Sequence, residues 1–440
     1  MKVDKMKTGT KSPGRRDFLK SSLLALGGIT IVPRHVLGMG YTAPSDKINL
    51  GFIGLGKQSR GLIAAFANQE HAQIIAGCDV WTTKMDWFKQ HTQASYKKAG
   101  KEITANSLQT FSNYRELLSL NSIDGVVIAT PDHWHALNAI DSMKAGKDVY
   151  CEKPLTLTIN EGKEMVNMAK KYNSIVQTGS MQRSWDSFRK ACELVRNGYL
   201  GEIKQVLVQV GTPSRPYDLM KEAIPSEVDW NQWCGPAPML AYNHRLAPSD
   251  NDVDFWPDWR LFDETGGGIL CDWGAHMFDI AQWALGMDSS GPVQYIPPTG
   301  ESNPQTGLKM IYDNGVEMVH HDFGRGYGVR FIGTEGKMDI SRNYFEPTST
   351  HLKDIELKPT DVKLYKTNGG HHKNWLDCIQ SREKPICDVE IGHRSASICN
   401  IANIAYRLNR PLDWNPKKEK FKKDKEANSM MGYEYRKFQQ

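Results

Sequence analysis

The stretch Cys151-Glu152-Lys153-Pro154 sets a lysine between a glutamate and a proline at the end of an apolar run. Charges at a strand end can be plain surface chemistry. A lysine aimed into a cleft could instead hold a developing oxyanion. A second constellation is Asp272 with His276, inside Gly266–Gly286, which reads as a glycine-rich turn entering an amphipathic helix. Four residues apart, the two share one helical face, and an imidazole is suited to take a proton near neutrality. A third is Gly54-Leu55-Gly56-Lys57-Gln58-Ser59-Arg60-Gly61, after an apolar strand and before a helix pattern. Gly54 permits a tight turn and Gly56 lets backbone approach a pyrophosphate. Ser59 stands where a third glycine is usual, with Arg60 beside it, and the helix start offers free N–H groups to the anion. Asp79 ends the next apolar strand about twenty residues on. Its carboxylate suits ribose hydroxyls and repels a 2′-phosphate, so NAD is expected in preference to NADP.

These groups need elements to position them. From Lys47 to about Ser180, apolar strand-like runs alternate with helical patterns, which argues for a parallel sheet covered on both faces. The expected fold class is α/β, with a Rossmann dinucleotide-binding domain over 46–180. An α+β domain over 181–412 should follow, with an open, mostly antiparallel sheet marked by turns such as Asp313-Asn314-Gly315 and Thr334-Glu335-Gly336. The stretch 413–440 is rich in charge and is expected to be a solvated tail.

Ala129-Thr130-Pro131-Asp132-His133-Trp134-His135, followed after a helix pattern by Glu152-Lys153-Pro154, closely resembles the Gfo/Idh/MocA family of sugar and polyol oxidoreductases. The resemblance runs from about Lys47 to about Pro411. It implies that Thr130 and Pro131 contact the cofactor, with His135 among the cofactor-binding candidates. It also implies that Glu152 supports binding near the nicotinamide ribose and that Lys153 is catalytic. Family members of the inositol dehydrogenase type carry an Asp-x-x-x-His pair where Asp272 and His276 stand, which implies His276 as general base, with Asp272 orienting it or sharing the proton. Such sheets in the family commonly mediate association, so a homo-oligomer is expected.

The substrate side is read from aromatic and polar density. Arg183 and Trp185 follow the end of the last Rossmann-type strand, a usual place for ligand contacts. The stretch 229–262 is dense in Trp, Tyr, His, Asn and Arg, which suits rings with apolar C–H faces and many hydroxyls. Tyr242, His244, Arg245 and Arg260 are the substrate candidates there, and His372 is a further one carried over from the resemblance.

Composition limits the alternatives. The 440 residues carry a net charge of +5, with 40% apolar and 24% charged content, ordinary for a globular chain of about two domains. Residues 1–38 hold eight Lys/Arg against two Asp. The remainder is close to neutral, which gives no case for nucleic-acid binding by bulk charge. That basic start contains Arg15-Arg16-Asp17-Phe18-Leu19 and a short apolar stretch from Leu23 to Val32, too short to span a bilayer. It resembles a twin-arginine (Tat) export signal over 1–38, with Gly14 where Ser or Thr is more usual, so periplasmic export is expected. The eight cysteines show no metal-binding spacing, and no metal site is expected.

The leading expectation is an exported NAD-dependent oxidoreductase acting on a sugar, glycoside or polyol hydroxyl, with NAD carried tightly bound and recycled. The alternative is a redox-assisted glycosidase that oxidises, eliminates, adds water and re-reduces on bound NAD. The best-known glycosidases of that kind lack the lysine standing here as Lys153. A non-catalytic NAD- or sugar-binding protein is the third possibility, and the intact Lys153, Asp272 and His276 argue against it.

Overall fold

The computed structural model describes residues 47–300 and 304–438; the twin-arginine segment lies outside them. Six strands form the first sheet: β1 (Ile48–Ile53), β2 (Ala72–Cys78), β3 (Gln109–Phe111), β4 (Gly125–Ile128), β5 (Asp148–Cys151) and β6 (Val176–Thr178). All pair in parallel, in the order β3-β2-β1-β4-β5-β6. This is the doubly wound arrangement, whose ligand crevice opens at the carboxyl ends of β1 and β4, where the strand order reverses. The strands read as near-continuous apolar runs because helices cover both faces: α1 (Lys57–Ala67), α2 (Thr82–Lys98), α3 (Tyr114–Leu118), α4 (Asp132–Lys144) and α5 (Ile159–Tyr172).

The later part of the chain builds a nine-stranded sheet in the order β13-β12-β11-β7-β10-β9-β8-β14-β15. Its strands are β7 (Ile203–Gln209), β8 (Gln294–Ile296), β9 (Lys309–Ile311), β10 (Glu317–His320), β11 (Gly328–Gly333), β12 (Lys337–Ile340), β13 (Phe345–Pro347), β14 (Leu412–Asn415) and β15 (Lys420–Phe421). Only β7 with β10 is parallel, so the sheet is mostly antiparallel, as expected. Helices α6 (Asp186–Arg196), α8 (Gly268–Leu285) and α10 (Val389–Leu408) bury one face of it, with the short α7 (Trp230–Cys234) preceding α8 in the chain. The other face mixes polar pairs, Gln205 with Glu317 and Arg330 with Asp339, with apolar residues such as Leu207 and Val319. Helix α9 (Gly370–Ser381) returns to the first sheet, where Trp375 packs against Phe66 and Tyr150.

The stretch 413–440 departs from expectation. Its described part is packed rather than solvated: Trp414 and Phe421 are buried, and α11 (Lys425–Ser429) follows. Beyond it, Tyr435 donates to Glu161 Oε1 at 2.7 Å, Arg436 donates to Asn231 Oδ1 at 2.8 Å, and Phe438 meets Trp134 edge-on. A few aromatics among many lysines fasten the segment, and counting charges misses them. All eight cysteines are free and buried, and no helix among the described residues is long and apolar enough to cross a membrane.

Candidate active site

The glycine-rich turn joins β1 to α1 at the reversal point of the sheet. Gly54 has φ +86°, and a Cβ there would stand 2.6 Å from Thr130 N, so the turn closes directly onto the loop after β4. Asp79 pins this turn, accepting from Leu55 N at 2.7 Å and from Trp81 N at 3.0 Å. A cleft opens here, lined by Gly54, Gly56, Asp79, Thr130, Pro131 and Trp81 among others. Its chemistry fits a dinucleotide. The α1 N-terminus has no side-chain cap, and nothing stands within 4 Å of where a Gly56 Cβ would be. That leaves both space and free N–H donors for a pyrophosphate. Two buried atoms, Thr130 Oγ1 and Glu152 Oε1, have no protein partner, as expected of groups that a bound cofactor would satisfy.

Lys153 leaves β5 toward α8. Its ammonium donates to the Asp272 carboxylate and, at 3.1 Å, to the Asp272 carbonyl. Arg260 Nη1 lies 3.4 Å from the other Asp272 oxygen. Burial pushes the Asp272 carboxyl up, but Lys153, Arg260 and Arg342 outweigh it and hold its pKa below the usual value. Glu152, 4% exposed, is pushed up by burial against the pull of Lys153 and Gln58. Asp132, at the start of α4, is pushed well up by burial and by Asp272. His276 is 3% exposed, and burial, Lys153 and Arg342 hold its pKa far below the ordinary imidazole value. It does not bond Asp272. Its Nε2 accepts from Arg342 Nη2 at 3.0 Å. Arginine only donates, so the ring proton sits on Nδ1, which has no protein partner.

The expectations of Asp272 orienting the imidazole and of several ligand contacts are thereby revised. Asp272 is held by two cations, while Arg342, unmarked by any motif, takes the histidine. Ser59 is fully buried and donates to Gly56 O at 2.6 Å, inside the turn rather than facing the cleft. Arg60 pairs with Asp252. His135 bridges the two loops, contacting Thr130 O and Pro154 O, each at 2.9 Å; burial pushes its pKa down to about 4. It braces the cofactor loops from behind.

Four substrate candidates lie elsewhere. Tyr242 is buried behind the cleft wall against Trp81 and Trp230. His244 pairs with Glu222, and Arg245 makes a two-pronged bond to Asp258. His372 stacks on Tyr150 and meets Phe66 edge-on, within the packing of the first sheet. Its neighbour His371 is buried and contacts Thr178 O and Ser184 Oγ.

Arg183 is a fifth. Its guanidinium is 1% exposed and shared between Asp279, at 2.8 Å, and Asp288. Arg183→Leu should therefore destabilise the fold by about 3–5 kcal/mol, because Asp279 would stay buried without its counter-charge. Urea unfolding checks this, and the nucleotide content of the folded fraction should not change.

A segment of the later domain crosses the turn. Asn251 Nδ2 donates to Leu55 O at 2.7 Å, and Lys57 Nζ donates to Val253 O and Phe255 O at 2.6 and 3.0 Å. With the Arg60–Asp252 pair, residues 251–255 form a strap over the end of the cleft where Gly54 and Gly56 lie. No sequence pattern indicated it.

Residues 48–180 match the Gfo/Idh/MocA oxidoreductase family's NAD-binding Rossmann fold, and residues 210–439 match its C-terminal alpha/beta domain. A glycosyl hydrolase family 109 protein from Shewanella baltica is 29% identical over 209 residues, which is 43% of this chain and 44% of that protein; the match thus spans less than half of the curated relative. Among solved structures, the WlbA dehydrogenase from Bordetella pertussis, in complex with NADH and UDP-GlcNAcA, aligns at TM-score 0.56 and 17% identity over 84% of this chain and 99% of that one. A myo-inositol 2-dehydrogenase from Lactobacillus plantarum aligns at 0.54 and 20% identity over 83% and 99%. At these identities the two structures speak to the fold.

Proposed function

Given that the chain belongs to the Gfo/Idh/MocA oxidoreductase family, we propose that it oxidises a secondary hydroxyl of a sugar, glycoside or polyol on an NAD that it retains through the catalytic cycle. The observation that carries this is Lys153, bonded to Asp272 one helical turn before His276 and following Glu152, whose buried Oε1 has no protein partner. Gly54, Gly56, Asp79, Thr130, Pro131 and Glu152 would hold the dinucleotide. When bound, it supplies the hydride acceptor.

The chain's own residues do the rest. Lys153 holds the substrate oxygen as it gains negative charge. His276 takes the hydroxyl proton on Nε2 once Arg342 moves off that atom, since the neutral ring has no other lone pair. Asp272, kept ionised by three cations, fixes the lysine.

The strap supports retention. Purified without added nucleotide, the protein is expected to carry close to one NAD(H) per chain, read by absorbance and by acid release. Asn251→Ala, which removes the bond to Leu55 O, should speed loss on dialysis by up to roughly ten-fold. Empty protein with weak NAD affinity would point to a conventional dehydrogenase with an exchanging cofactor. Export through residues 1–38 belongs to the same proposal, because a retained cofactor needs no external pool; cell fractionation checks it. Association through the nine-stranded sheet is also part of it, with light scattering as the check.

A second reading is favoured by the relative named glycosyl hydrolase family 109 protein: a redox-assisted glycosidase, in which net redox is zero. Release of aglycone from a glycoside without net NADH would select it. Accumulation of a keto-glycoside would select the oxidoreductase.

A further inference from the structure

We infer that the substrate is an acidic sugar, one whose ring carries an oxyanion such as the carboxylate of a hexuronic acid, and that Arg342 is the residue that selects it. This inference rests on the function proposed above and names the substrate class of the same site.

Arg342 sits in the turn between β12 and β13, held by bonds from Tyr344 N and Asn343 N to Ser341 Oγ and from Ser341 N to Tyr344 O. Its side chain reaches the active site, where the guanidinium touches His276. Unlike Lys153 and Arg260, which both engage Asp272, it has no carboxylate within ion-pair distance among the described residues. The residue as a whole remains exposed, and His276 Nε2 takes one of its guanidinium donors.

Two aromatic rings hold the guanidinium in place, with its carbon 4.6 Å from the Trp273 ring centre and 5.7 Å from that of Trp185. Trp185 and Tyr327 are each more than a third exposed, and Tyr327 lies against Trp273 with ring centres 4.3 Å apart. A sugar ring can lay its C–H face on this platform. A planar carboxylate at its edge can then take the free fork of Arg342 in a two-pronged bond.

The surrounding charge agrees. Lys153 and Arg260 share the single carboxylate of Asp272 while Arg342 stands apart from it, and burial works against ionisation of both Glu152 and Asp132. A site with this surplus attracts an anion and disfavours a cation.

Engagement of Arg342 has a further consequence. Its bond to His276 Nε2 occupies the only lone pair of the neutral ring. An oxyanion that draws the guanidinium outward frees that lone pair when substrate is bound. An acidic sugar would then uncover the proton acceptor, whereas a neutral one would leave it capped.

The test uses the full-length protein with its retained nucleotide. Reduction of that nucleotide is followed at 340 nm on rapid mixing with methyl glucuronoside or methyl galacturonoside against the matching neutral hexosides, with 6-sulfated hexosides as a further arm. The acidic sugars are expected to be preferred by about 10²-fold in kcat/KM, and the carboxylate and sulfate arms identify which oxyanion is used. Arg342→Gln should collapse the acid-to-neutral ratio by a similar factor, and Arg342→Lys should restore part of it, keeping charge without the fork. No preference in the wild type overturns the inference. So does an Arg342→Gln variant in which both rates fall together at constant ratio, since Arg342 would then only position His276. If no sugar reduces the nucleotide, the proposed reaction fails, and tryptophan fluorescence of Trp185 and Trp273 decides the binding question separately. Salt-sensitive glucuronoside binding lost in Arg342→Gln supports the acidic-sugar site, and absence of binding overturns it.

Discussion

Replacing Lys153 with methionine is expected to slow reduction of the retained nucleotide by about 10³-fold, with sugar binding weakened far less. The ammonium is the donor placed to meet a developing alkoxide, and loss of one such donor in a water-poor site typically costs about 10²–10³ in rate. The remaining loss comes through Asp272. Without Lys153 its carboxylate keeps only the longer contact from Arg260 at 3.4 Å, so burial raises its pKa and the field opposing positive charge on His276 changes with it. Methionine keeps the length of the stem, so the fold should survive. Single-turnover absorbance at 340 nm measures the effect. A variant as fast as the wild type would remove Lys153 from the chemistry and favour a non-catalytic binding protein.

The second large effect concerns the cofactor cleft. Gly54→Ala should abolish nucleotide retention and cost the fold about 1–3 kcal/mol. The backbone there has φ +86°, and the added methyl would stand 2.6 Å from Thr130 N and 2.7 Å from Ala129 C. Both are backbone atoms at the end of β4, which pairs directly with β1, so neither can yield without disturbing the centre of the sheet. The loop that moves carries Thr130 and Pro131. Gly56→Ala is the informative contrast, because its methyl meets nothing within 4 Å and enters only the space a pyrophosphate would need. It should leave stability within about 0.5 kcal/mol of wild type yet release the nucleotide on desalting. Thermal unfolding together with nucleotide content separates the two outcomes. Equal stability losses for both glycines would contradict this division of labour.

The two glycines also mark what was legible in the chain. The turn after β1, Asp79 after β2, the Thr-Pro turn after β4, the Glu-Lys-Pro turn after β5 and the Asp-x-x-x-His helix were all readable as short local patterns. So was the parallel sheet behind them, because strands buried on both faces must be apolar throughout. Local backbone geometry and local burial fix such features, and both leave their mark within a few residues of sequence.

Other features depend on residues distant in the chain and left no such mark. Arg183 looked free for a ligand, but Asp279 lies 96 residues away and takes its charge. Arg342 reaches His276 from 66 residues on, and Asn251 reaches Leu55 from 196. The stretch 413–438 is fastened by single aromatics that its lysines outnumber. The sequence by itself determined which groups could do chemistry and which elements carry them. Tertiary structure alone decided which charges neutralise one another and which stay available, because a buried charge must find its partner wherever folding brings one, at any separation along the chain.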